Sequence, residues 1–322
     1  MSRVVAIGEI IVDFVSTEPV PYTKARMFEK CFGGAPMNTA VGVSRLGVSA
    51  GVVTAVGKDP FGDFLVKVLR ENNVDVSNLR RKEGRRTSIT FVANEPTTGE
   101  RTFLFYRKPW TGETADSSLE REDIDPGYIS RAEVLHVSGF ALSQQPSRRA
   151  VFHAMRIAQN SGVAISFDPT LRSDVWDSEE ILRRTYRRAL GLSDIATFSR
   201  EEAQFVLGTS DPNKAAAKAL RLGPSTVGIK LGAQGSFVKT ADGEVIRKPA
   251  FNVKPVDTTG AGDGWNAGFL IGICEGWDLA KSVTVANAVG ALVVTKRGAI
   301  TAMPYRTELK TFLTEAGVRL TI

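Results

Sequence analysis

The chain has 322 residues, of which 43% are hydrophobic, 24% charged and 8% aromatic. This composition is that of an ordinary globular protein and excludes a disordered or fibrous one. The net charge is +6, from 41 basic and 35 acidic residues, and the basic residues are scattered in short pairs. Such scattering is more typical of solvated helix faces than of nucleic-acid binding, and a modest positive charge suits a phosphorylated small ligand.

The two cysteines, Cys31 and Cys274, form neither a disulfide framework nor a CxxC pair. With only two histidines, the chain offers no zinc site and no Cys/His catalytic set. We therefore expect a cytoplasmic protein. The N-terminal residues lack the layout of a signal peptide, and no apolar run reaches the ~18 residues of a membrane span. We expect no membrane partner and no nucleic-acid partner.

Apolar runs bounded by turn residues alternate with helical periodicity along most of the chain, which indicates a parallel sheet covered by helices. Residues 61–69, for example, carry apolar side chains at the i, i+3, i+4, i+7 and i+8 spacing of an amphipathic helix. The pattern predicts a doubly wound α/β fold. The predicted strands lie at 4–7, 51–56, 134–137, 163–167, 194–198 and 227–230, and the predicted helices near 61–69, 147–160, 178–190 and 200–207.

Residues 87–106 have a different pattern, because 87–92 and 102–106 are rich in β-formers and are joined by a turn-prone segment at 94–99. An antiparallel hairpin does not easily join a buried parallel sheet. We therefore expect a lid over a substrate, built from residues of about 14–33 and 86–110. No linker divides the chain, so 1–322 is predicted to be one domain. Edge strands need cover, which favours a homodimer through the lid.

The most informative segment, residues 257–263, reads DTTGAGD and precedes a stretch of small and apolar residues that can form a helix. Free N–H groups and the positive dipole end at a helix N-terminus make an anion site. Asp263 would repel phosphate there, and its useful role is to accept a proton from an attacking alcohol. The alternative is that Asp263 only stabilises the first helical turn. A dinucleotide-binding motif is excluded because the surrounding βαβ unit is missing.

The segment 33–38 reads GGAPMN and leads into a helix that Gly47 ends. Two adjacent glycines, Gly33 and Gly34, allow a hydroxylated ligand to touch the backbone, and Asn38 can both donate and accept hydrogen bonds. The alternative is a simple turn and a capped helix. Asp13 is a further candidate, because ligands of open α/β sheets collect at the carboxyl ends of strands.

These segments together, GEIIVDF at 8–14, GGAPMNTAVGVSRLG at 33–47, FDPTLR at 167–172 and DTTGAGD at 257–263, resemble the ribokinase-like (PfkB) carbohydrate kinases. The resemblance covers nearly the whole chain and implies a doubly wound, mainly parallel α/β domain with a small protruding β-sheet lid. It implies ATP-dependent phosphorylation of a sugar hydroxyl, with Asp263 as catalytic base. The anion hole would consist of the backbone amides of Gly260, Ala261 and Gly262, and the sugar hydroxyls would be held by Asp13, Gly33, Gly34 and Asn38.

The resemblance also implies ATP and Mg²⁺. The family's Asn-x-x-Glu motif corresponds to residues 199–202, so Glu202 matches as a magnesium contact through water, whereas Ser199 stands in place of Asn. The same two residues fit a capping box, which is the structural alternative. Lys230, Gly232 and Gly235 resemble the loop under the nucleotide, although glycines there can also be plain turns. Asn287 resembles a position near the adenine.

Family members often bind a monovalent cation beside the anion hole. Asp257, Thr259 and Gly298 match its ligands in kind, so the resemblance implies K⁺.

The acceptor is less firmly indicated. Tyr106, Arg107 and Arg172 are candidate substrate contacts. The two arginines are candidates because a guanidinium binds carboxylate or phosphate through two hydrogen bonds, and Tyr106 belongs to the segment 105–109 that resembles the fructokinases and sugar-acid kinases. The pattern favours a fructokinase. A 2-keto-3-deoxygluconate (sugar-acid) kinase and a myo-inositol or nucleoside kinase are the alternatives, and a non-catalytic sugar- or nucleotide-binding regulatory protein is the alternative of another class.

Overall fold

The computed structural model describes residues 1–94, 101–109 and 111–322, and for Asn94 the backbone alone. It contains thirteen strands within the described ranges. The strands are β1 Val4–Ile7, β2 Ile11–Ser16, β3 Phe28–Gly33, β4 Ala50–Gly57, β5 Leu79–Lys82, β6 Ser88–Asn94, β7 Arg101–Phe105, β8 Val134–Ser138, β9 Ala164–Asp168, β10 Ile195–Ser199, β11 Thr226–Lys230, β12 Ser236–Thr240 and β13 Val245–Lys248.

The same part of the chain forms ten α-helices. The helices are α1 Ala35–Arg45, α2 Pro60–Glu71, α3 Pro126–Ser130, α4 Ser147–Asn160, α5 Glu179–Leu190, α6 Arg200–Leu207, α7 Pro212–Leu220, α8 Ala261–Cys274, α9 Leu279–Val293 and α10 Arg306–Glu315.

A nine-stranded sheet forms the body of the protein, in the order β13-β12-β11-β10-β9-β8-β1-β4-β5. Seven neighbouring strands run parallel, from β11 to β5, and β12 and β13 add an antiparallel edge. Both faces are buried. Val5 and Ile7 belong to the apolar cluster on one face, whereas Val4 and Ala6 belong to the cluster on the other, as the period of two of a strand requires. The predicted doubly wound α/β fold is confirmed.

A second, four-stranded sheet has the order β3-β2-β6-β7. Strands β6 and β7 pair antiparallel, as predicted for the hairpin, and β2 pairs parallel with β6. Phe14 packs edge-on against Phe61 of α2, which fixes this lid sheet to the body. Strand β2 begins at Ile11, three residues before the predicted lid segment. Residues 95–100 of the predicted turn and Trp110 at the end of the predicted lid lie outside the described residues.

The assignment of residues 1–322 to a single domain stays a prediction. No helix in the described ranges is long and apolar enough to cross a membrane.

Candidate active site

A cavity of about 1050 Å³ lies between the lid sheet and the carboxyl ends of the central parallel strands. Asp168, Ser199 and Lys230 are the last residues of β9, β10 and β11, and all three line it. This is the edge at which open α/β sheets bind ligands. The lid contributes Phe103 and Phe105 of β7 to the opposite wall.

Asp263 lies in the first turn of α8 and lines the cavity. Its Oδ2 accepts a hydrogen bond from Asn38 Nδ2 at 2.8 Å, so the two motifs that the sequence singled out meet at this atom. Burial raises the pKa of Asp263 to about 6, while the Asn38 hydrogen bond opposes the shift. The carboxylate is therefore ionised at neutral pH, yet basic enough to accept a proton.

The turn before α8 depends on glycine. Gly260 is the N-cap at φ 76°, and a Cβ atom there would lie 2.8 Å from the Cα of Ala299. Ala261 and Gly262 follow as the first helical residues. The N–H of Ala261 donates to the carbonyl of Thr258 at 3.3 Å, whereas the N–H of Gly262, in the first turn, has no intrahelical acceptor. All three line the cavity. The segment can therefore bind an anion next to Asp263.

Lys230 and Asp168 form an ion pair beside this turn, with Lys230 Nζ 2.6 Å from Asp168 Oδ2. Burial alone would lower the pKa of Lys230, but the charges of Asp168 and Glu202 raise it above its usual range. Burial works against the ionised form of Asp168, yet Lys230 and the Asn266 hydrogen bond hold the pKa of that carboxyl well below its usual range. Both groups are charged at neutral pH.

Ser199 and Glu202 form the predicted capping box at the start of α6. Glu202 Oε2 accepts from the backbone N–H of Ser199 at 2.7 Å, and Oε1 accepts from the N–H of Leu171 at 3.0 Å. Burial and the Asp168 charge raise the pKa of Glu202. Both predicted residues also line the cavity, so the structural alternative and a role in the site are compatible.

Four residues that were predicted to contact the acceptor line the cavity: Asp13, Gly34, Asn38 and Arg172. Burial raises the pKa of Asp13 to about 7, against the charges of Arg101 and Arg172. Gly33 lies just behind the wall, because a Cβ atom there would be 2.2 Å from Asp13 Oδ2. Its small size leaves room for the carboxylate.

Arg107 and Tyr106 are not among the residues that line the cavity, contrary to the sequence prediction. Arg107 is 2% exposed, forms an ion pair of 3.0 Å with Asp116, and stacks over the ring of Phe140. Tyr106 is 46% exposed and packs edge-on against Phe91. The chain leaves β7 after Phe105, so these side chains follow the outgoing loop rather than the strand face that covers the cavity.

Three residues that were predicted to lie near the nucleotide also line the cavity: Gly232, Gly235 and Asn287. Gly232 and Gly235 both have positive φ, and a Cβ atom on Gly235 would lie 2.0 Å from the carbonyl oxygen of Lys248. The turn that they form therefore requires glycine. Asn287 accepts from Trp265 and Ser236 and donates to two backbone carbonyls. Its amide shapes the wall and has no further donor for a base.

The side chains of the cavity wall that were not predicted as site residues include three charged ones with clear contacts: Glu9, Asp168 and Arg101. Glu9 Oε1 accepts from the N–H of Ala35 at 3.1 Å, and burial raises its pKa to about 8. Glu9 and Asp168 belong to the motifs at 8–14 and 167–172; Glu9 lies two residues after β1, and Asp168 is the last residue of β9. Their position at the carboxyl end of a predicted strand was the sequence feature that could have identified them as site residues.

Arg101 begins the lid strand β7 and crosses to the anion-binding segment. Its Nη2 lies 2.6 Å from Asp257 Oδ2, and its Nη1 donates to Thr259 Oγ1. Asp257 also accepts from the N–H groups of Thr259 and Gly298, at 2.8 and 2.7 Å. Arg101 is more than 150 residues away from Asp257 and Thr259 in the sequence, so no local sequence pattern could have predicted these contacts. Of the residues predicted to hold a monovalent cation, only Thr259 lines the cavity.

The fold is an α/β fold whose cavity brings the segment predicted to bind hydroxyls and the segment predicted to bind an anion to one buried carboxylate, Asp263. Residues 1–306 match the family described as pfkB family carbohydrate kinase. The chain therefore belongs to this family, and it is an ATP-dependent sugar kinase.

Two relatives and one solved structure illustrate the similarity. Fructokinase of Klebsiella pneumoniae is 38% identical over 316 residues, covering 96% of this chain and 98% of the relative. The 5-dehydro-2-deoxygluconokinase of Clostridium tetani (strain Massachusetts / E88) is 34% identical over 319 residues, covering 97% and 93%. The crystal structure of fructokinase from Vibrio cholerae O395 with fructose, ADP and calcium ion bound has a TM-score of 0.86 at 35% identity, covering 97% and 99%.

Proposed function

We propose that the protein is a fructokinase that transfers the γ-phosphoryl group of ATP to a hydroxyl of fructose, with Asp263 as general base. The observation that carries the mechanism is the hydrogen bond of 2.8 Å between Asn38 Nδ2 and Asp263 Oδ2. It joins the sugar-binding segment to the carboxylate in the first turn of α8. The fructokinase relatives support fructose as the acceptor.

Asn38 fixes the carboxylate so that its other oxygen faces the acceptor hydroxyl. As the hydroxyl oxygen attacks phosphorus, Asp263 takes its proton. Gly260, Ala261 and Gly262 supply the backbone amides of the anion hole, which stabilise the charge on the transferring group. Asp13 and the backbone at Gly34 orient the sugar.

The site suits Mg²⁺ if the phosphates of the bound nucleotide supply part of its coordination. The described residues contain no cluster of three or more His, Cys, Asp or Glu side chains. Mg²⁺ usually keeps several waters and binds one or two carboxylates together with substrate phosphates. Glu202 is the carboxylate that would hold it, through water, because each of its oxygens accepts one hydrogen bond from the described residues and so keeps a lone pair for a water molecule. When bound, the ion would neutralise phosphate charge.

The side chains predicted for potassium do not fit a cation as they stand. The guanidinium of Arg101 contacts both Asp257 and Thr259, and two backbone N–H groups donate to Asp257. A cation at these oxygens would meet another positive charge. The mechanism therefore uses no monovalent ion. Comparing turnover in potassium and tetramethylammonium buffers tests this directly, with equal rates expected.

A sugar-acid kinase is the second candidate. Arg172 lines the cavity, where its guanidinium stacks over Phe103 and donates to the backbone carbonyl of Leu171. A guanidinium in that position suits a substrate carboxylate. The relative from Clostridium tetani, whose name specifies a gluconate derivative, agrees with this alternative.

The test is ADP release with ATP and Mg²⁺ against fructose, glucose, ribose, 2-keto-3-deoxygluconate, myo-inositol and nucleosides. We expect the highest kcat/KM for fructose, lost in Asp263→Asn. Highest activity with the sugar acid, lost in Arg172→Ala, would establish the second candidate instead. If no acceptor is phosphorylated while ATP still raises the Tm, a non-catalytic binding protein replaces both.

We also propose a cellular location and an oligomeric state for the protein. Cys31 and Cys274 are free thiols, which suits a cytoplasmic location. The lid sheet is proposed to form the interface of a homodimer.

A further inference from the structure

A buried polar network lies directly under the N-terminal turn of α8. Asp168 Oδ2 accepts hydrogen bonds from Lys230 Nζ at 2.6 Å and from Asn266 Nδ2 at 2.7 Å. Thr197 Oγ1 lies 3.2 Å from the same oxygen. The other oxygen, Oδ1, accepts from the backbone N–H of Thr170 at 2.9 Å. Asp168 is therefore held by residues of β10, β11 and α8 together.

The Lys230 ammonium lies against the anion-binding turn. A Cβ atom placed on Gly262 would be 3.3 Å from Lys230 Nζ. The side chain of Lys230 is 13% exposed and lines the cavity. An ammonium has three donors, and the described residues give it a single hydrogen-bond partner, Asp168. The remaining donors are available to a ligand in the cavity.

We propose that Asp168 is a positioning residue that holds the Lys230 ammonium at the anion-binding turn, where Lys230 contacts the phosphoryl group during transfer. This inference rests on the proposed phosphoryl transfer. Asp168 then affects the rate of phosphoryl transfer only through its contact with Lys230. A long lysine side chain has many conformations, and a fixed carboxylate selects the one that reaches the phosphoryl oxygens without reorganisation in the transition state.

A purely structural role is the competing explanation. Buried ion pairs often tie elements together without any part in chemistry, and removing one partner destabilises the fold. Here the pair links β9 to β11 across β10. The two explanations differ in their effect on kcat, on acceptor KM and on the coupling of the two residues.

The first experiment is a double-mutant cycle of Asp168→Asn and Lys230→Met, with kcat and KM measured for the best acceptor. We expect Lys230→Met to lower kcat by roughly 10²–10³-fold, the range for loss of one preorganised donor, with little change in acceptor KM. Asp168→Asn should lower kcat by a smaller factor. The double variant should be no slower than Lys230→Met, because Asp168 has no effect without the lysine. Losses that multiply would overturn the proposal.

A matched control is the ion pair between Lys82 of β5 and Asp123, which is also partly buried but lies outside the cavity. Asp123→Asn should lower the Tm and leave kcat unchanged. If Asp168→Asn and Asp123→Asn both change only the Tm, the role of Asp168 is structural. Should Asp168→Asn fail to fold, the comparison of Lys230→Met with the double variant, which lacks both buried charges, still tests whether Asp168 has an effect without the lysine, and a slower double variant would overturn the proposal.

The second experiment needs no acceptor and so separates this inference from the proposed function. The Tm is measured with ADP and Mg²⁺, before and after addition of aluminium fluoride, a planar stand-in for the phosphoryl group. The wild-type protein should gain Tm on addition of the fluoride complex, and Lys230→Met and Asp168→Asn should lose that gain while keeping the shift caused by ADP. An unchanged gain in the variants, or no gain in the wild type, would overturn the proposal. Failure of every sugar in the acceptor assay would instead refute the proposed function.

Discussion

Asp263 combines two opposing influences on one carboxylate. Its place in the first turn of α8 favours the ionised form, whereas burial raises the pKa to about 6. The result is a group that is ionised at neutral pH but more basic than an exposed aspartate. A carboxylate bound only as a helix-stabilising group would not require this degree of burial.

The first prediction concerns this carboxylate and pH. A general base must be deprotonated to act, so kcat/KM should fall as the pH decreases through about 6, higher than for an aspartate of ordinary pKa. Asp263→Asn should lower kcat by roughly 10²–10⁴-fold, the contribution of a positioned base. Both are measured from the pH profile of ADP release.

Asp13 provides the control for that prediction, because burial raises its pKa also, to about 7. Asp13→Asn should raise the acceptor KM and retain the acid limb of kcat that Asp263 produces. Near-normal turnover of Asp263→Asn across the pH range would refute the assignment of the base.

At the scale of elements, the lid strand β7 is tied to the anion-binding segment by Arg101. The guanidinium lies 2.6 Å from Asp257. Phe103 of the same strand lies under the guanidinium of Arg172. The strand therefore contributes one cation to the cavity, Arg101, and contacts a second, Arg172.

We predict that Arg101→Ala raises the acceptor KM and lowers kcat, each by roughly tenfold. The variant lacks the partly buried ion pair with Asp257, which holds the lid strand against the body and so favours closure of the lid over the cavity. Steady-state kinetics measure both constants. Arg183→Ala is the control, since Arg183 pairs with Glu179 on the surface of α5 and does not line the cavity. Unchanged constants in Arg101→Ala would show that the lid closes without this contact.

The elements differ in how far the sequence reveals them. The hairpin of β6 and β7 was predictable because β-forming residues and a turn are local signals. The antiparallel edge of β12 and β13 was not predicted, since the two strands have only five and four residues and a periodic pattern is hard to recognise over so short a length. Asp13 and Asn38 were found because each belongs to a motif next to a strand or a helix start.

The errors have a common physical origin. Arg107 was expected in the cavity from residue type alone, but its direction depends on where the lid strand ends, and its ion pair with Asp116 holds it outside. The pairing of Arg101 with Asp257 depends on how the lid sheet meets the body. Such long-range geometry is set by packing, and a single sequence carries no local signal for it.

At the scale of the whole molecule, two sheets of different kinds share one cavity. The main sheet is buried on both faces and is rigid enough to hold Asp168, Ser199 and Lys230 at one edge. The lid sheet has four strands, with β3 and β7 at its edges. Edge strands with exposed apolar residues favour pairing with another chain.

The last prediction is the homodimer through the lid. Leu104 of β7 is 45% exposed, and Met27 and Tyr106 are exposed large side chains next to the lid strands. Sedimentation velocity over a range of protein concentrations should show a dimer for the wild type and a monomer for Leu104→Glu, with the Tm unchanged, because a charge on a face buried between copies is costly.

Val245→Glu is the matched control, since Val245 is 47% exposed on β13, the edge of the main sheet, and this variant should remain a dimer. A monomeric wild type would refute the prediction, and loss of the dimer in both variants would place the interface elsewhere. Because the lid also covers the acceptor, the monomeric variant should show a raised acceptor KM with ATP binding unchanged.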